Sequence, residues 1–153
     1  ALTLDIELFT QTHYLESIDH DAELSELFKD VFLFHWKEES QHAILDELEL
    51  VRHDAEVTAA QRDRAVDEFI ELVAAVDGIL QAQAKADAAY FVATCGRAVG
   101  EAESPAVEAA FLKSYRWQYI HSGAQQPRFG KVLSSLITDT QGQRIQAALA
   151  TLQ

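Results

Sequence analysis

The first 104 residues contain no proline and only three glycines, Gly78, Gly96 and Gly100, and the whole chain of 153 residues has no asparagine. Strand-rich folds reverse direction often, and tight turns lean on Gly, Pro and Asn. Ala, Leu, Glu and Gln dominate instead, and all four favour helix. The chain is therefore read as all-α. Its length suits a single domain, residues 1–153.

Composition narrows the function classes. With 48% hydrophobic residues the chain has enough apolar side chain to bury, which excludes intrinsic disorder. Its uncharged stretches are too short or too polar to cross about 30 Å of hydrocarbon. A formal charge of −13 repels phosphate backbones and anionic lipid, so neither nucleic acid nor membrane is an expected partner. One cysteine, Cys95, allows no internal disulfide and points to a reducing, cytoplasmic setting. The chain has no Met, and it is read as a trimmed chain or as a domain cut from a longer product.

Apolar spacing places the helices. A first helix is predicted from about Thr3 to Ile18, with Leu4, Leu8, Leu15 and Ile18 on one side. A second runs from about Glu23 to His53, and its stripe opens with Leu24, Leu27, Phe28 and Val31, which are expected to be buried. A third runs from Ala59 to Thr94 behind the N-cap Thr58, with Phe69, Val73, Val76, Leu80, Ala84 and Phe91 as its stripe. A fourth is predicted from Pro105 to about Ser122, capped by Ser104 and stopped near Gly123. Arg128 to Ile137 forms a short piece. Thr138 caps a last helix, Asp139 to Leu152, with Gln141 at the capping-box position. Four long helices over 1–126 and two short ones over 127–153 predict a four-helix bundle.

The second helix carries the chemistry. His35, Glu39, His42 and Asp46 lie at i, i+4, i+7 and i+11, so they share one face. That face continues the predicted apolar stripe, where unpaired polar groups are costly. A metal ion satisfies imidazole and carboxylate together. Glu-x-x-His on a helix delivers an oxygen and a ring nitrogen to one point, the device helical bundles use for di-metal centres. By chance alone, six histidines among so many acids would give about one acid-x-x-His, and this chain has one. Position on the stripe and a second segment strengthen it. In Tyr115-Arg116-Trp117-Gln118-Tyr119-Ile120-His121, Gln118 and His121 repeat the spacing with an amide for the carboxylate.

Glu38-Glu39-Ser40-Gln41-His42-Ala43, with His35 before it and Asp46 and Glu49 after, resembles the second helix of the ferritin-like superfamily, where bacterioferritins and rubrerythrins carry Glu-Glu-x-x-His-Ala. The resemblance implies Glu39 as a bridging carboxylate, His42 and His121 as nitrogen ligands, and Gln118 where a second bridging Glu is expected. It also implies one acid from each remaining helix. For antiparallel neighbours turning near residue 21, Glu39 lies level with about residue 3, so Glu7 or Asp5 is the nearest acid. On the third helix Asp77 and Asp87 bracket the level of His121, and Asp77 is the choice. His35 and Asp46 are expected to support the ligands from behind.

Iron is the expected metal, with manganese or zinc as alternatives, one or two ions per chain. The function that follows is an oxygen-activating oxidoreductase, with dioxygen or a small molecule as substrate and a second copy of the chain as partner. The alternative is a non-enzymatic bundle with a degenerate site that serves as a binding or assembly module. A bundle holding haem or an organic ligand through one histidine ranks third. Cys95, Tyr115, Trp117 and Tyr119 are read as structural. Phe32 and Trp36 form a second apolar side, facing the C-terminal pieces or another subunit.

Overall fold

A computed structural model describes residues 1–100 and 102–152. Among them there is no strand. The helices are α1 (Leu2–His13), α2 (Glu26–Asp54), α3 (Ala59–Thr94), α4 (Ser104–Arg116), α5 (Ser122–Ala124), α6 (Pro127–Leu136) and α7 (Asp139–Ala150). α1 runs on through a π-helical turn, Tyr14–Ile18, and a second such turn, Trp117–His121, joins α4 to α5. No helix among the described residues is long and apolar enough to cross a membrane.

Local chemistry explains most of the ends. Ser25 Oγ accepts from the Phe28 N–H at 3.3 Å, so α2 starts three residues later than its apolar pattern suggests. Reciprocal Thr58–Gln61 and Thr138–Gln141 capping boxes start α3 and α7. Gly96, at φ 75°, ends α3 in a left-handed turn that a side chain would resist. Ser104 is not the cap of α4. Glu103 holds that position, and its carboxylate accepts from the Gly100 N–H at 3.1 Å and from Arg97 at 3.0 Å.

α1 packs along α2, and α3 along α4; α5 lies against α1, α7 against α3, and α6 touches both α1 and α2. The core sits where these meet. Leu4, Leu8, Ala43, Phe129 and Val132 are buried together, with Phe69, Leu50, Leu133 and Leu136 packed around them. The predicted stripe on the second helix does not follow this pattern. Leu27 is 76% exposed and Val31 60%, and Ala43 is the one buried residue of α2. α2 lays one narrow edge on α1, the first π-helical turn and α6, so Leu27, Phe28, Val31, Phe34, Ile44, Leu45, Leu48 and Val51 stay exposed. Trp36 packs on Tyr14 of the first π-helical turn, with ring centroids 5.7 Å apart, and Phe32 packs on Phe28 of its own helix.

The approach of α5 to α1 depends on Gly123. A Cβ there would lie 2.5 Å from Asp5 Oδ1 and 2.8 Å from the Asp5 carbonyl oxygen. The carbonyl belongs to a helix and cannot swing away. Gly123→Ala is therefore expected to destabilise the fold by about 2 kcal/mol or more, measurable as a lower denaturant midpoint. An unchanged midpoint would show that the two helices separate at little cost.

Candidate metal centre

The packing of Leu4 and Leu8 on Ala43 sets the spacing of α1 and α2. Ala43 is fully buried, and its small side chain lets α1 approach closely. Glu7 precedes Leu8, and His42 precedes Ala43, so the contact that builds the core also brings these two polar side chains together. Gln11, one turn beyond Glu7, donates to the Glu39 carbonyl at 3.4 Å and ties the helices at the same level.

Glu7, Glu39 and His42 each place a ligand atom within 4.8 Å of the others. The Glu39 carboxylate is held on both oxygens: His42 Nδ1 lies 2.8 Å from Oε2, and His35 Nδ1 lies 3.3 Å from Oε1. Glu39 is 15% exposed and both imidazoles 46%, so the cluster is a half-open groove between α1 and α2. This corrects the expectation of a face buried throughout. The apolar stripe it was to continue is itself exposed.

The three groups shift one another's protonation. Burial, a hydrogen bond to Glu39 and the charge of Glu39 push the Glu7 carboxyl up to about 7. The same hydrogen bond, with one from His42 and the charges of His35 and His42, holds Glu39 below the usual carboxylate range. Bonding to Glu39 raises His42. Near neutral pH Glu7 is thus the acid, donating to Glu39, which also accepts from His42. The proton lies between two carboxylates, in the place a bridging cation would take.

Two acids on α1 titrate high, since burial also pushes Asp5 up to about 7. Unfolded, both ionise near about 4. Their contribution to stability is complete below about 4 and is lost as pH rises through about 7. Glu39 acts in the opposite sense, and its contribution is lost only in acid. The metal-free protein is therefore expected to melt at lower temperature as pH climbs from about 5 to about 7.5, and Glu7→Gln should remove part of that slope. A profile unaffected by Glu7→Gln would mean that Glu7 ionises freely.

The other predicted ligands lie elsewhere. Asp77, 4% exposed, receives Arg116 Nε at 2.7 Å and Nη2 at 2.9 Å, and Gln81 Nε2 at 2.6 Å. Its two oxygens are thus engaged by protein donors. His121 Nε2 lies 3.1 Å from the Leu152 carbonyl. Gln118 lines a small cavity with Thr12, His13 and Glu16 near the end of α1. Both belong to a π-helical turn, whose wider i→i+5 bonding breaks the alignment that i, i+3 spacing has in an α-helix. Asp5 turns toward Gly123 rather than into the cluster. Asp46, one helical turn beyond His42, acts on Glu7 through its charge. Arg116 was not foreseen as the partner of Asp77, and nothing local in the sequence marks a pairing across 39 positions.

Tyr115 donates to Asp87 at 2.6 Å and Tyr119 sets its ring edge-on to Phe9, which gives both aromatics a packing role. No protein-family model, curated protein or solved structure matches this chain.

Proposed function

We propose that this chain is a ferritin-like helical-bundle protein that holds one first-row transition metal at Glu7, Glu39 and His42. The observation that carries the reading is the carboxyl pair from two helices, poised around a shared proton beside an imidazole. Two hard oxygen donors with one nitrogen suit iron or manganese, and also zinc. His35 orients Glu39 from the far oxygen, as outer partners do in metal sites. Bound iron would supply redox chemistry toward dioxygen. The half-open groove would give a small substrate access to a metal held by Glu7, Glu39 and His42.

A second reading has an observation of its own. Asp77 is paired with Arg116 and His121 Nε2 lies against the Leu152 carbonyl, so neither expected ligand adds to the Glu7, Glu39 and His42 grouping. That favours a single ion, or a degenerate relative that uses the groove as a binding module. Metal analysis of protein purified without chelator or affinity-tag metal separates them. About one iron or manganese per chain, lost in both Glu39→Ala and His42→Ala, supports the proposal, and dioxygen consumption by the iron-loaded protein supports the oxidoreductase. Metal content that survives both substitutions would overturn it.

A further inference from the structure

The outer face of α2 carries a regular pattern. Leu27, Val31, Phe34, Glu38, Gln41, Leu45, Leu48 and Arg52 follow one another at alternating steps of four and three, and all eight are exposed. The five apolar members are each more than half exposed. A repeat averaging about 3.5 residues is that of a coiled-coil seam, and a solvated face gains nothing by keeping it. The seam points away from the chain's own core. Ala43, the buried residue of α2, lies two positions before Leu45 and so faces about 200° from it. Surface area gives the scale of the contact this face lacks. The chain exposes 9856 Å², where a compact monomer of 17.1 kDa exposes about 7,800 Å². Two copies together hold an excess of about 4,000 Å², within the roughly 2,000–5,000 Å² that permanent homodimers bury.

We propose that the partner is a second copy of this chain, held by an antiparallel α2–α2 seam whose two-fold axis passes between Glu38 and Gln41. The order of residues along the seam favours that arrangement. About the axis Val31 meets the partner's Leu48, and Phe34 meets the partner's Leu45. Glu38 meets the partner's Gln41, whose amide donates to the carboxylate. Arg52 lays its aliphatic stem on the partner's Leu27 and keeps its guanidinium in water. A parallel pair in register would instead set Glu38 against Glu38 and Arg52 against Arg52, two like-charge contacts. The two polar positions at the middle fix the register, as single polar residues do in coiled coils. The net charge of −13 opposes the approach of two copies, but the seam itself carries one acid and one cation. The dimer therefore tightens as salt screens the rest of the surface. The interface does not rest on the metal reading.

The test is analytical ultracentrifugation of the full chain with chelator present, so that the Glu7 cluster stays metal-free. The protein is expected to sediment at twice its chain mass, and more completely at higher salt. Val31→Glu and Leu48→Lys, each alone, bury a charge against an apolar partner and should weaken the dimer by at least about 100-fold. Both positions are exposed on the single chain, so each variant should keep its helical circular dichroism. The two substitutions together place each new Glu opposite the partner's new Lys and should restore the dimer. In a parallel pair they would leave Glu on Glu and Lys on Lys. A protein that stays a single chain at high micromolar concentration would overturn the proposal and leave the face to a different partner. So would a dimer that both single variants leave intact, one that salt dissolves, or one that the double variant fails to recover.

Discussion

Glu39→Ala is expected to weaken metal binding by well over the roughly 100-fold that loss of an outer partner of a ligand costs. Glu39 is the hub of the cluster, since Glu7, His42 and His35 all reach its carboxylate. Its removal takes a ligand and unties the other two. His35→Ala should cost only about 10-fold, because His35 steadies the far oxygen without completing the three-atom grouping. The pH dependence gives a second reading of the same site. Metal must displace the proton between Glu7 and Glu39 and the one on His42, so affinity should rise with pH below about 7, by about tenfold per unit for each proton displaced. Calorimetry in two buffers of different ionisation enthalpy would count those protons. Affinity independent of pH between about 5.5 and about 7 would mean that metal binds elsewhere.

Arg116→Ala is expected to destabilise the protein by about 3 kcal/mol, because it leaves Asp77 charged, buried and without its main partner. The pair joins α3 to α4, so the loss should appear as a lower denaturant midpoint without loss of metal. Replacing both partners with apolar residues of similar size, Asp77→Leu with Arg116→Met, should recover most of the stability, since the pair itself is weakly stabilising and the orphaned charge carries the cost. A double variant as unstable as Arg116→Ala would show that the pair is irreplaceable for packing.

The helices were largely legible because their ends are written in short-range chemistry. Thr58 with Gln61 and Thr138 with Gln141 mark their starts on the sequence itself, and α3 spans Ala59–Thr94 as its pattern predicts. Helical spacing put Glu39 and His42 on one face, the ferritin-like resemblance gave them ligand roles, and the level of antiparallel neighbours offered Glu7 or Asp5; the fold brings Glu7, not Asp5, within reach of the other two. The same reasoning named Asp77, Gln118 and His121, and there it met obstacles with no local signature. Arg116 claims Asp77 across 39 positions of sequence. A π-helical turn changes the phase of Gln118 and His121.

Sequence by itself determined that this chain is helical, where its helices begin, and which residues on the second helix could act as ligands, because capping, propensity and 3.6-residue spacing act within a few positions. Tertiary structure alone decided that most of the α2 apolar side chains face outward, that Asp77 is spent on Arg116, and that Asp5 Oδ1 is buried against Gly123. Those outcomes depend on which faces of distant helices meet. Burial and charge pairing are properties of the whole packing arrangement, and no single segment carries enough information to set them.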